Sequence, residues 1–269
     1  MKAYLQQLMR PGRNDLEKLC LAREYLQARI LESLQDSGAF MRWAFLGGTA
    51  LRFLYNLPRF SEDLDFSLLR LGEDPAFAPS LREIHRVFKR EGYQVDVEVN
   101  KRKTVFSAWI RFPGLMYEAG LAAQPTQVFS VKLELDTNPP PGAGVATAIV
   151  RRHVAVNICH YDKASLLAGK LHAILTRTWT KGRDLYDLVW YLADRQWPAP
   201  NINLLNAALA QSGWQGTQMS LKNWRETIAE HLKNVNWKAA ITDVRPFLER
   251  EQDVRLLDRD AVQQLLLGG

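Results

Sequence analysis

A change of hydrophobic period at Tyr161 limits the fold of this chain more than any other feature. Upstream of it, Gln94–Val99, Val105–Phe112, Gln127–Thr137 and Ile149–Ile158 alternate apolar with polar residues and are rich in β-branched and aromatic side chains. Period two is the mark of strands with one buried face. Downstream, apolar residues recur every third or fourth position, which predicts helices over Asp162–Thr178, Lys181–Ala193, Leu204–Gln211, Lys222–Leu232, Trp237–Leu248 and Asp253–Leu267. The turn-rich Asn138–Gly144 joins the last two strands. Near the start, a helix is expected over Asp15–Leu34, stopped by Asp36-Ser37-Gly38, then a strand at Trp43–Leu46. Thr49 can cap a short helix that Pro58 ends, followed by a strand at Leu64–Leu69 and a helix at Pro79–Arg90. The plan is a mixed α/β half over residues 1–160 and an all-helical half over 161–269.

Composition removes whole classes. At 269 residues, 47% hydrophobic and 24% charged, the chain is long enough for two packed domains and is neither disordered nor collagen-like. Two cysteines, Cys20 and Cys159, make no disulfide framework. The first fifteen residues lack an apolar h-region, and the uncharged stretch Gln196–Leu221 is too rich in Gln and Asn for lipid. A cytoplasmic protein without a membrane partner is expected. The formal charge of +6 is a mild bias toward polyanions such as nucleotides or RNA.

Chemistry concentrates between Phe45 and Phe66. There a strand ends in Gly47-Gly48-Thr49 and opens a helix, so main-chain N–H groups and a helix N-terminus converge as a phosphate site requires. On the next strand Asp63 and Asp65 share one face while Leu64 and Phe66 take the other. Crowded carboxylates repel, and a hard divalent cation such as Mg²⁺ is the usual reason to keep them together. Each motif alone has a plain reading, a tight turn or a solvated strand face; their order is what suggests function.

That order resembles the DNA polymerase β-like nucleotidyltransferases. The fuller string, Gly47-Gly-Thr-Ala-Leu51 with Arg59-Phe-Ser-Glu-Asp-Leu-Asp-Phe66, is similar to the AbiEii/AbiGii toxin family, which includes the MenT toxins. The resemblance implies an α+β fold: a polymerase β-like mixed sheet with flanking helices, then a mainly helical C-terminal domain whose first two helices complete the active site. It also implies two later motifs. A lysine and acid on a strand are met by Lys132 and Glu134, with Asp136 as a rival to Glu134 for the third carboxylate. A helical lysine followed by Arg-Asp-x-x-Asp is met by Lys170 and Arg183-Asp184-Leu-Tyr-Asp187, although acids at a helix start can also be plain caps. Lys163, Lys170 and Arg177 would form one cationic stripe.

By this resemblance Asp63, Asp65 and Glu134 are the metal ligands for Mg²⁺, with Mn²⁺ as its close substitute. Gly47, Gly48, Thr49, Arg59, Lys132 and Lys170 contact the NTP substrate. Ser61 touches phosphate or orients Asp63, and Asp184 positions Lys170 or the nucleotide. The activity implied is EC 2.7.7-type transfer of NMP to an acceptor hydroxyl on RNA (the tRNA 3′ end) or on protein. The biology implied is that of a growth-inhibiting toxin with a cognate antitoxin in a type IV-like or phage-defence module. A metal-dependent nuclease and a non-catalytic nucleotide-binding regulator are the alternatives. Trp179, beside Arg177, Lys181 and Arg183, could stack on a base. The five histidines show no ligand spacing.

Overall fold

The computed structural model describes residues 2–101 and 103–268. Its elements, in chain order, are α1 (Lys2–Met9), α2 (Asp15–Asp36), β1 (Trp43–Leu46), α3 (Gly47–Tyr55), β2 (Leu64–Leu68), α4 (Phe77–Arg90), β3 (Asp96–Asn100), β4 (Val105–Pro113), α5 (Leu115–Glu118), β5 (Val128–Asp136), β6 (Val145–Arg152) and β7 (Val154–Tyr161). Six further helices follow: α6 (Lys163–Thr176), α7 (Gly182–Ala193), α8 (Ile202–Gln211), α9 (Trp224–Leu232), α10 (Trp237–Val244) and α11 (Arg259–Leu267). The α+β expectation holds, with a seven-stranded mixed sheet and a helical C-terminal region. None of the described helices is long and apolar enough to cross a membrane.

Two compact units emerge. Unit 1 comprises residues 1–55, 60–139 and 147–160; unit 2 comprises 56–59, 140–146 and 161–269. The sheet runs in the order β3-β4-β5-β2-β1-β7-β6. β1 is antiparallel to β2, and β2 is parallel to β5, which is flanked in turn by antiparallel β4 and β3. One face carries Phe45, Leu64, Phe66, Leu133, Leu135, Ala108 and Ile110, all buried. Rings of Trp43, Phe45, Phe66 and Phe77 pack at 5.2–5.8 Å between centroids along it. Burying such rings from water is the main force that holds the helices to the sheet.

Two local expectations are corrected. The last alternating stretch is a hairpin of β6 and β7, because His153 sits at φ +63° and reverses the chain. A positive φ is rare outside glycine, so nothing in the alternation announces it. Thr49 does not cap α3, because the helix already starts at Gly47. Its hydroxyl instead donates to the Asp63 carbonyl.

A buried charge cluster ties α2 to α3. Glu24 accepts from Arg52, and Arg152 and His153 approach it at 3.6 and 3.1 Å. Burial resists ionisation of Glu24, but its His153 hydrogen bond and the two arginines prevail and hold its pKa at about 2, against 4.5 for a free glutamate. A depressed carboxyl pKa stabilises the fold above the unfolded value and is lost as pH falls through the folded one. Stability on the order of 3 kcal/mol should therefore disappear between about pH 4.5 and pH 2. Glu24→Gln should be less stable at pH 7 and show a shallower acid limb, read as denaturant midpoints from pH 7 to 2.5. Parallel curves for the two proteins would refute this account.

Candidate active site

Unit 1 assembles the first constellation from three neighbouring strands. β1 delivers the chain into Gly47, whose φ is +80° and which has the Asp65 carboxylate where a Cβ would stand. Glycine is required twice over, by conformation and by space. Thr49 is buried, and its bond to the Asp63 carbonyl joins the first turn of α3 to the start of β2. From the other side, Gln27 of α2 donates to the Ser61 and Glu62 carbonyls at 3.2 and 2.9 Å. The backbone before β2 is thus clamped by α2 and α3, and Asp63 and Asp65 leave it half-buried, with Leu64 fully buried between them.

Register brings in the third carboxylate. β2 and β5 run parallel with Asp65 opposite Glu134 and Ser67 opposite Asp136. Glu134 is therefore the direct neighbour of Asp65, and Asp136 lies one repeat further along. Asp136 accepts the Asn138 N–H at 2.9 Å, and burial raises its pKa.

Lys132 provides the local positive charge. Its Nζ lies 2.6 Å from Glu134, and the charges of Asp63 and Asp65 also reach it. Burial alone would lower its pKa, but these acids drive it up. Among the described residues, no three His, Cys, Asp or Glu side chains converge as they stand to hold a metal ion. The donor chemistry nevertheless fits a hard cation: Asp65 and Glu134 adjoin across β2 and β5, and Asp63 stands immediately before β2, so the carboxylates offer oxygen ligands only.

Unit 2 holds the second constellation, at the start of α7. Asp184 and Asp187 lie one turn apart on one face. Lys170 of α6 meets Asp184 at 2.9 Å and Asp187 at 2.7 Å. Burial opposes the charge on Lys170, yet both carboxylates raise its pKa. For Asp184, burial is outweighed by Lys170 and Arg177, which hold its pKa at about 2. Arg177, 3.0 Å from Asp184, is the C-cap of α6 in extended conformation, and Lys163 lies against the Trp197 ring at 4.7 Å. Of the expected stripe of three cations, Lys170 and Arg177 thus share Asp184, while Lys163 lies apart on Trp197.

Arg59 does not present a cation to solvent. It is 2% exposed and donates from Nε and one terminal nitrogen to the two Asp187 oxygens, both at 2.6 Å. Asp187 thus serves Arg59 and Lys170 together. Its spacing from Asp184 was visible in the sequence, but its partner 128 residues away was not. Nearby, Arg177, Trp179, Lys181, Asp184, His231 and Asn234 help to line a cavity of about 220 Å³ within unit 2. That is smaller than the roughly 300–1,000 Å³ of pockets for drug-sized ligands.

The family described as "Nucleotidyl transferase AbiEii toxin, Type IV TA system" matches residues 29–265. A crystal structure of a candidate nucleotidyltransferase from H. pylori superposes with a TM-score of 0.52 at 20% identity, covering 92% of this chain and 96% of that one. JHP933 from Helicobacter pylori gives 0.51 at 18% identity, covering 92% and 93%. At such identities the two structures speak to the fold alone. No curated protein matches in sequence. By the breadth of the family match, the chain belongs to the AbiEii family of nucleotidyltransferase toxins of type IV toxin–antitoxin systems.

Proposed function

We propose that this protein transfers NMP from an NTP to an acceptor hydroxyl, with Asp63, Asp65 and Glu134 holding Mg²⁺ or Mn²⁺. The observation that carries the reading is the parallel register of β2 and β5, which makes Asp65 and Glu134 neighbours beside the Gly47 turn. The main-chain N–H groups at Gly47 and Gly48 open α3 and favour an anionic phosphate there. Lys132 offers a further cation to the nucleotide, and Lys170, fixed by Asp184 and Asp187, is read as the triphosphate lysine. Ser61, Thr49 and Arg59 act by holding backbone and unit in place. A bound divalent ion supplies charge neutralisation and a lowered pKa for a coordinated hydroxyl. The acceptor oxygen bonds the α-phosphorus in line, the α–β bridging bond breaks, and pyrophosphate leaves with that electron pair. The acceptor proton departs on the carboxylate side.

In the cell the acceptor is read as the 3′ end of tRNA, the consequence as growth arrest relieved by a cognate antitoxin, and the setting as phage defence. The test supplies purified protein with Mg²⁺, each α-labelled NTP in turn, total tRNA and lysate protein. Label on RNA ending at the 3′ hydroxyl is expected. Label on protein alone would replace the acceptor, and RNA shortened without label would replace the transferase by a nuclease.

A further inference from the structure

The sheet face that carries the carboxylates does not stop at β5. Beyond it β4 pairs antiparallel, with Ser107 opposite Glu134 and Trp109 opposite Lys132. The neighbours Ala108, Ile110 and Phe112 are fully buried on the other face, whereas Trp109 is 39% exposed. Trp109 therefore presents part of its ring on the same sheet face as Lys132 and Glu134, and an indole offers a flat stacking surface. Within this face Lys132 links the ring to the acids. Its Nζ lies 5.6 Å from the Trp109 centroid and 2.6 Å from Glu134. Ring and carboxylate thus have Lys132 as a common neighbour on one face.

Strand order says which nucleoside. Along β1-β2-β5-β4, the glycine turn closes β1, Asp65 is on β2, Glu134 on β5 and Trp109 on β4. With strands about 4.8 Å apart, Trp109 lies on the far side of the carboxylates from the phosphate turn. An incoming triphosphate seated at Gly47 occupies the β1–β2 side, so the β4 side is left for the acceptor. The geometry points to Trp109 as the stacking platform for an unpaired terminal base of a single-stranded polynucleotide acceptor. This deepens the transfer reading above and rests on it: it makes the acceptor a nucleic acid with an unpaired end, rather than a protein hydroxyl. Stacking on a tryptophan tolerates any base, so the platform holds an end in place without reading its sequence.

The experiment measures binding apart from turnover. A fluorescein-labelled single-stranded RNA is titrated with the full chain, without NTP, as wild type, Trp109→Ala and Trp109→Phe, with unfolding midpoints confirming that each variant is folded. The alanine variant should bind about 5- to 100-fold more weakly, the range of one lost base stack, while phenylalanine keeps affinity within about threefold. Equal affinity for wild type and Trp109→Ala overturns the proposal, as does no binding by wild type. Equal loss in both variants also overturns it, because that marks a packing role. NTP affinity, titrated separately, identifies the source of the stacked base: a change there instead of in RNA binding assigns the ring to the incoming nucleotide and refutes the acceptor. Label transfer to RNA by wild type with unchanged RNA affinity in Trp109→Ala sinks this proposal and spares the transferase. The expected RNA pattern without any transfer sinks the transferase and spares the platform.

Discussion

Replacing Asp65 or Asp63 by alanine should lower nucleotidyl transfer by about a thousandfold or more while leaving the protein folded. Each carboxylate is proposed to bind the ion that carries charge in the transition state, and such interactions are worth several kcal/mol, each 1.36 kcal/mol being a factor of ten. The fold has little to lose. Both side chains leave the sheet half-buried, the packing of β2 rests on Leu64 and Phe66, and the Thr49 bond reaches the Asp63 main chain, which alanine retains. Removing one of several clustered acids also relieves like-charge repulsion. The unfolding midpoint should therefore stay within about 1 kcal/mol of wild type, and Mn²⁺ binding followed by calorimetry should weaken in parallel with activity.

Glu134 and Asp136 divide the remaining question. Glu134→Gln should fall with the aspartates, because it neighbours Asp65 across the strand pair. Asp136→Asn should keep most of the rate, since that carboxylate lies beside Ser67 and is occupied with the Asn138 N–H. A folded Asp65→Ala protein that labels its acceptor at the wild-type rate would end the metal-site reading.

The second large effect is on stability. Arg59→Ala should destabilise unit 2 by about 3–5 kcal/mol, the cost of leaving one member of a buried ion pair without its partner. Asp187 is fully buried and would keep Lys170 but lose the bidentate guanidinium that meets both of its oxygens. A bridge between Arg59 and Leu248, and a hydrogen bond from the Glu249 N–H to the Pro58 carbonyl at 3.4 Å, hold the 56–59 segment in the same unit. The loss should therefore spread along that segment. Replacing both partners, as Arg59→Met with Asp187→Leu, should recover part of the stability, because both charges of the pair go together while Lys170 keeps Asp184. Denaturant titration followed by the fluorescence of Trp190, Trp197 and Trp224, all in unit 2, reads the change. An Arg59→Ala midpoint equivalent to wild type would show that the pair is not needed for the fold.

What the sequence determined alone is what contiguous residues carry. The period-two and period-three-to-four runs mark strands and helices because each side chain's direction follows from its own local backbone. Asp63 and Asp65 share a face for the same reason, and Gly47 announces a turn because its missing Cβ is itself a conformational statement. Tertiary structure alone decided which strands meet. Parallel β2 and β5 bring Glu134 beside Asp65 across nearly seventy residues, and Arg59 reaches Asp187 across 128. Periodicity records that a face is buried or wet but not what lies opposite, since pairing is selected by the packing of the whole core. The reversal at His153 escaped for a related reason: a positive φ at a non-glycine residue is imposed by its surroundings. Trp109 was one residue in an alternating strand until the order of strands put it next to the acids.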